Sequence, residues 1–334
     1  MKIAVGISGG VDSAVAALLL KEQGHEIVGV TMTLGRADEE KSVAEAKSVA
    51  ERLGIPLRVL DFSRAWKSCV LDYLRDTYLA GATPNPCVRC NETVKFGLLP
   101  RAAFELGCEK FATGHYARIL IKHRDTEEVR LLRAVDKAKD QSYFLYRVKP
   151  EILANTVFPL GGFTKDEVRA KARSFGLEAA GKGDSQDFCG GDPMAIVNEP
   201  DRAGEVVTVE GKVIGTHRGY WNYTVGKRKG LGIGGGTPYY VVALDAKHNR
   251  VIVGFKDDAV VREFRVVDRV GFPTSGQESA SPFTVKVRSA GEPKGPVTLE
   301  GDTVKCPDGI AGIAPGQSAV FYDGDELVGG GIIV

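Results

Sequence analysis

Short apolar runs alternate with longer amphipathic stretches from residue 1 to about residue 113. The spacing predicts a strand over 2–6, a helix over 12–23 closed by Gly24, a strand over 26–32 and a helix over 39–53 ended by Gly54 and Pro56. A strand over 57–60, helical stretches over 64–79 and 96–106 and a short strand over 111–113 follow, and a further helix is expected over 165–175. Strand–helix alternation of this kind makes an α/β doubly wound parallel sheet, with ligands held at the carboxyl ends of the strands. After about residue 200 the helical period fades, and β-rich runs appear at 205–209, 239–244, 250–253, 283–287 and 318–322. These read as one or two small antiparallel β modules with a joint near 260–267, taken as a small β-rich domain followed by a C-terminal β-barrel. The expected division is 1–197, 198–260 and 261–334.

Composition narrows the class without naming a function. At 334 residues, 43% hydrophobic and 26% charged, the chain can bury large cores. No basic segment precedes an apolar core at the start, and no apolar run approaches the roughly 18 residues of a membrane span. A cytoplasmic protein without a membrane partner is expected. Six cysteines are too sparse for a secreted disulfide scaffold, so closely spaced ones point to chemistry. A net charge of +1 argues against a general polyanion binder, although a local basic face could still grip nucleic acid.

The strongest local signal is Gly6-Ile-Ser-Gly-Gly-Val-Asp-Ser13, set between the first strand and the first helix. Gly9 and Gly10 allow a sharp turn with bare N–H groups, the helix adds its positive end, and Ser8 and Ser13 add hydroxyls. Asp12 is placed to hold Mg²⁺ beside phosphates. No lysine closes the loop as in G-x-x-x-x-G-K-[ST], and the dinucleotide G-x-G-x-x-G is missing. The loop resembles that of the ATP pyrophosphatases, which adenylate a substrate oxygen and release pyrophosphate.

A second signal is Thr83-Pro-Asn-Pro-Cys-Val-Arg-Cys-Asn91, read as a proline-stiffened turn holding Cys87 and Cys90. Such a pair can be half a zinc site, a redox couple, ligands of an iron–sulfur cluster, or a nucleophile with a helper. Cys69 and Cys108 read as core residues on helix faces, and Cys306 as a residue of a β-module turn without a role. Cys189 lies in the polar, glycine-rich segment 182–192, where a thiol is a candidate for reactivity. Ala112-Thr-Gly-His-Tyr116 ends a strand on the edge that carries the phosphate loop. Basic and aromatic residues interleave over 136–146 and 222–230, where Lys227, Arg228 and Lys229 suit phosphates and tyrosines could stack on unpaired bases.

In this order the motifs resemble the tRNA-specific 2-thiouridylases over nearly the whole chain. Further landmarks are Lys95-Phe96, Lys139-Asp-Gln-Ser-Tyr-Phe-Leu-Tyr146, Gly226-Lys-Arg-Lys-Gly-Leu-Gly-Ile233 and Pro315-Gly-Gln-Ser-Ala-Val-Phe-Tyr322. The resemblance implies an adenine nucleotide alpha hydrolase-like fold and an enzyme that places sulfur at position 2 of the wobble uridine. ATP with Mg²⁺ would be bound by Gly6, Ile7, Ser8, Gly9, Gly10, Val11, Asp12 and Ser13, with Met32 and Gly114 near the adenosine. Asn85, Pro86, Cys87, Lys139, Asp140 and Gln141 would face the target nucleotide, which must be flipped out of its loop. His115, Gln317 and Arg288 would be further tRNA contacts, and the β modules would hold the anticodon stem-loop.

The resemblance also implies a sulfur route, and the chain departs from the family at that point. In the persulfide scheme Cys189 carries the terminal sulfur and Cys90 attacks, leaving a disulfide between the two. Where many members have aspartate, this chain has Cys87, which supplies a third thiol. Three cysteines are the ligand set of cluster-dependent tRNA thiolases, so a [4Fe–4S] cluster at Cys87, Cys90 and Cys189 is expected, with the persulfide relay as the alternative. The donor would be sulfide or a persulfide carrier. A reduced basic stretch at Arg288-Ser-Ala-Gly291 weakens the contacts expected there. The competing class is a small-molecule ATP-dependent ligase that releases AMP and pyrophosphate.

Overall fold

A computed structural model describes residues 1–123, 127–177, 192–228, 230–231, 237–271 and 282–334. They fall into two compact units, one of residues 1–70, 87–189 and 325–327, the other of 71–86, 190–324 and 328–334.

The first unit is built on a parallel sheet of β1 (Lys2–Gly6), β2 (Glu26–Thr33), β3 (Leu57–Asp61), β4 (Lys110–Ala112) and, after the hairpin described below, the short strand Thr156–Val157. The strand order is β3-β2-β1-β4 and then that short strand. Chain order reverses between β1 and β4, so the loops after these two strands flank a crevice at their carboxyl ends. Successive residues of β1 serve opposite faces. Ile3 and Val5 pack with helix α1 (Val11–Glu22), whereas Ala4 joins Val28, Phe96 and Phe111 on the other side. Every residue of α1 from Ser13 to Leu20 is buried, which is why its sequence is apolar all round. Helix α2 (Glu39–Leu53) instead buries only Ala46, Val49, Ala50 and Leu53, and Gly54 ends it in the left-handed region at φ 61°.

Three stretches differ from the sequence expectation. The helical stretch over 64–79 is interrupted by a π-helical turn, Lys67–Leu71. The stretch over 96–106 begins earlier, because Cys87 and Cys90 lie in a helix, Pro86–Cys90, and not in the proline-stiffened turn read from the sequence. That helix runs into a π-helix, Asn91–Leu98, before the α-helix Leu99–Glu105. Gly97 permits the widened turn, since a Cβ there would sit 2.9 Å from the Glu92 carbonyl oxygen. The third difference is an antiparallel hairpin of β5 (Ala117–His123) and β6 (Glu127–Arg133), which the sequence reading did not foresee. Residues 325–327 return to this unit, where Glu326 and Leu327 pair with Leu132 and Leu131.

In the second unit, with the short strand Thr156–Val157 counted as β7, a four-stranded sheet orders β8 (Gly204–Thr208), β9 (Val213–His217), β10 (Tyr240–Asp245) and β11 (Arg250–Gly254) as β10-β11-β8-β9. Six further strands make the C-terminal barrel: β12 (Val260–Gly271), β13 (Phe283–Lys286), β14 (Lys294–Glu300), β15 (Thr303–Ala311), β16 (Ser318–Asp323) and β17 (Glu326–Ile333). Pairing of β12 with β17 closes it. Val266, Val285, Val304 and Phe321 fill its core. Cys306 belongs to that core, on β15 and 2% exposed, and not to a turn as the sequence suggested. Among the described residues no helix is long and apolar enough to cross a membrane.

Candidate active site

The loop after β1 is braced from within. Gly9 has φ 80°, and a Cβ there would lie 2.6 Å from the Glu45 Cβ on α2, so glycine is required both by conformation and by space. Ser8 and Ser13 hydroxyls lie 3.2 Å apart, the Ser8 N–H donates to Ser13 Oγ at 3.2 Å, and Ser13 Oγ donates to the Gly10 carbonyl at 3.0 Å. Gly10 caps α1 with extended backbone, leaving the helix end directed at the crevice. Met32 stands half-buried near the end of β2. Behind it the Glu39 carboxylate accepts from the Leu34 and Gly35 N–H groups and fixes the turn.

The loop after β4 presses on this one. A Cβ on Gly114 would lie 2.8 Å from the Asp12 carbonyl carbon and 2.9 Å from the Ser13 nitrogen, so only glycine allows the two backbones to meet. Tyr116 then donates its hydroxyl to Asp12 Oδ1 at 2.9 Å, and Lys165 places Nζ 2.8 Å from both Asp12 oxygens. From sequence Tyr116 is legible only as the last residue of the 112–116 motif, and Lys165 only as a helix start. Lys165 lies 153 positions downstream, and nothing local to it signals the pairing.

His115 is half-buried in an aromatic setting, with ring centroids of Phe96 and Phe158 at 5.5 and 6.1 Å, and its Nδ1 lies 2.8 Å from Thr113 Oγ1. Burial, reinforced by the Lys95 charge, lowers its pKa to about 3. The imidazole is therefore neutral at physiological pH and would meet a ligand through stacking or a hydrogen bond, not as a cation. Below the ordinary histidine pKa of about 6.5 the unfolded chain takes up a proton that the folded protein refuses. Stability should fall as pH drops from about 6.5 toward about 3, and His115→Phe should flatten this acid limb in thermal melts. An unchanged limb would show that the ring is charged in the folded state.

The segment 139–141 divides its tasks. Asp140 is buried, and its carboxylate accepts from the Ala134 N–H at 3.0 Å and from the Ser142 N–H and hydroxyl at 3.2 and 3.0 Å, with Arg133 Nε at 3.5 Å. Gln141 Oε1 accepts from the Tyr116 N–H at 2.9 Å, and its own N–H donates to the Tyr116 carbonyl at 2.8 Å. Both side chains thus hold loops of this unit in place, while Lys139 is half-buried. Asp140→Ala should destabilise the first unit by about 3 kcal/mol, because it removes a buried acceptor shared by the Ala134 and Ser142 N–H groups and the Ser142 hydroxyl. Urea unfolding would measure this, and an unmoved midpoint would assign Asp140 to ligand contact alone.

Cys87 is half-buried and Cys90 is 6% exposed, three positions apart on one helix and therefore on one face. Cys90 leads into the π-helix, whose Asn91 donates to the Phe144 carbonyl at 3.3 Å while its Oδ1 is buried without a partner. Phe96 of the same π-helix packs on His115. Cys189 lies outside the described residues, as do Lys229 and residues 232–233. Among the described residues no group of three or more His, Cys, Asp or Glu side chains is gathered as metal ligands.

In the second unit, Gln317 Nε2 donates to the Thr83 and Pro84 carbonyls at 3.2 and 2.7 Å. The Thr83 N–H donates to Pro315 at 2.7 Å, and the Asn85 N–H to the Tyr73 hydroxyl at 3.2 Å. The turn before Pro86 is thus clamped on both sides, and Gln317 spends its amide on the clamp. Arg288 is exposed and lies against Gly226, where a Cβ would approach its Nη2 to 2.5 Å, which brings it beside Lys227 and Arg228.

Comparison with known proteins covers the same chain end to end. Family models described as a tRNA methyl transferase HUP domain, a tRNA methyl transferase PRC-barrel domain and an aminomethyltransferase beta-barrel domain match residues 1–190, 197–255 and 263–333. The tRNA-specific 2-thiouridylase MnmA of Endomicrobium trichonymphae is 42% identical, over 100% of this chain and 99% of that protein. Its counterpart from a Nostoc species is also 42% identical, over 99% and 98%. A solved structure from Methanocaldococcus jannaschii, described as a predicted subunit of tRNA methyltransferase, is 20% identical with a TM-score of 0.36, covering 52% of this chain and 74% of that one.

Proposed function

Since the chain belongs to the family of tRNA-specific 2-thiouridylases, we propose that it carries out ATP-dependent 2-thiolation of the wobble uridine of tRNA. The uracil O2 attacks the α-phosphorus of ATP, pyrophosphate leaves, and the O2-adenylate so formed turns a poor leaving oxygen into AMP. Sulfur then adds at C2 and AMP departs. The observation that carries this reading is a continuous set of contacts in the first unit: the helix of Cys87 and Cys90 leads to Phe96, Phe96 packs on His115, and the His115 loop lies on Asp12.

Residues 6–13 would hold the phosphates, with Met32 and Gly114 beside the adenosine. Asp12, the loop's carboxylate, fits Mg²⁺, which would supply charge neutralisation at the polyphosphate. Asn85, Pro86, Cys87 and Lys139 would meet the flipped uridine, with Asp140 and Gln141 shaping that surface from behind. Arg288 with Lys227 and Arg228 suits the anticodon stem backbone, and Gln317 would serve tRNA through the turn it clamps. Residues 1–197 would then do the chemistry, and 198–260 and 261–334 would hold RNA.

For sulfur, Cys90 and Cys189 are the reactive pair, whether Cys189 carries a persulfide or both join Cys87 around a [4Fe–4S] cluster. Two thiols on one helical face, one of them buried, suit such ligation, and the cluster would supply an iron open to hydrosulfide. Nucleoside mass spectrometry of unmodified tRNA, incubated anoxically with the protein, Mg-ATP and either sulfide or a persulfide donor, tests the reading. Appearance of 2-thiouridine supports it. None with either donor, together with AMP formation on a small acceptor, would move the protein to the ligase class.

A further inference from the structure

The phosphate loop contains no lysine, yet a lysine stands at its carboxylate. Lys165 is the first residue of the helix Lys165–Ser174, whose cap is a reciprocal pair of Thr164 and Glu167. Its main-chain N–H donates to Asp136 Oδ2 at 3.0 Å, so the root of the side chain is fixed at both ends. The side chain is only 8% exposed, and Nζ lies 2.8 Å from each Asp12 oxygen and 5.8 Å from the Tyr116 ring centroid. Asp12 itself is 31% exposed, on the open side of the pair.

A largely buried ammonium needs a counter-charge, and Asp12 supplies one unit of it. A polyphosphate seated on residues 6–13 would bring several negative charges next to the same Nζ. Lysine is a compact cation on a flexible stem, able to move from a carboxylate to a phosphate oxygen without moving its helix. We propose that Lys165 is a polyphosphate-binding residue of this site. It supplies from a distant helix the cation that the loop sequence lacks, with Asp12 as its partner while the loop is empty. Building on the ATP reading above, it identifies a group that would neutralise the departing pyrophosphate. No bond to Lys165 forms or breaks.

The test uses inorganic pyrophosphate as the probe, titrated calorimetrically into the full-length protein in the presence of a magnesium chelator. Lys165→Met should weaken binding by about 30-fold, and Lys165→Arg by less than about tenfold. Asp12→Asn should leave binding unchanged or tighten it, because the lysine is then no longer shared. Wild-type affinity in Lys165→Met would overturn the proposal, as would equal weakening in Lys165→Met and Asp12→Asn, or no binding to the wild type. Should Lys165→Met also lose tRNA binding, and so its fold, Asp12→Asn decides alone: tighter or equal binding supports the assignment and weaker binding overturns it. The thiouridine assay on the wild type stays independent of every one of these results.

Discussion

A Cys90→Ser protein should release pyrophosphate in the presence of tRNA and ATP at close to the wild-type rate and form no detectable 2-thiouridine. The two half-reactions draw on different groups. In the proposed mechanism adenylation draws on the residue 6–13 loop, its helix end and Asp12, whereas sulfur transfer draws on the Cys90 thiol, and a serine hydroxyl is neither a usable thiolate nor a sulfur carrier. The expected loss in thiolation exceeds about 1000-fold, as for removal of an activated nucleophile. Cys90 is nearly buried, so serine leaves the packing close to unchanged and the melting curve should hold. Parallel assays of pyrophosphate and of thiolated nucleoside measure both halves. Equal loss of both would mean that Cys90 shapes the uridine pocket for adenylation, and the division of labour proposed above would fail.

Gly114→Val should do the opposite and remove both activities at once. Even the first carbon of a side chain would stand 2.8 Å from the Asp12 backbone, against backbone atoms that have no freedom to yield. The β4 loop must retreat, and with it the Tyr116 hydroxyl that meets Asp12. ATP binding should weaken by at least about 100-fold, given that misplacement of a site by about 1 Å has that effect on rate. Equilibrium binding of a fluorescent ATP analogue would measure it. The sheet core around Ile3, Val5 and Ala112 is untouched by the change, so the unit should remain folded. Unaltered nucleotide affinity would mean that the two loops separate when ATP binds.

The sheet and its loop were legible because their causes are local. Glycines at 9 and 10 between an apolar run and a helix leave few other conformations, and the continuous apolar run of β1 follows from packing on both of its faces. Other features depended on distant partners. The hairpin of β5 and β6 alternates polar Arg118 and apolar Ile119, a usable signal, but it interrupts a helix-rich stretch. Cys306 was misplaced because Pro307-Asp308-Gly309 reads as a turn, whereas barrel closure keeps that run in β15. The proline-stiffened turn read over 83–91 gives way to a helix at Pro86, which sits at the first helical position, where its fixed φ is favourable. Lys165 was invisible for the plainest reason: a lysine at a helix start looks the same whether it faces solvent or a carboxylate.

Residues 325–327 give the first unit an unusual order of manufacture. Asp325 meets Arg118 at 2.8 Å and Lys137 at 2.5 Å, and the next two residues extend the hairpin edge. A chain leaving the ribosome at about 5–20 residues per second has the rest of this unit in hand by residue 189, then waits roughly 7–28 s for the last three. Through that interval the β6 edge is open and two cations lack their carboxylate. The unit that carries the residue 6–13 loop is therefore completed only after residues 190–324 of the other unit have been made.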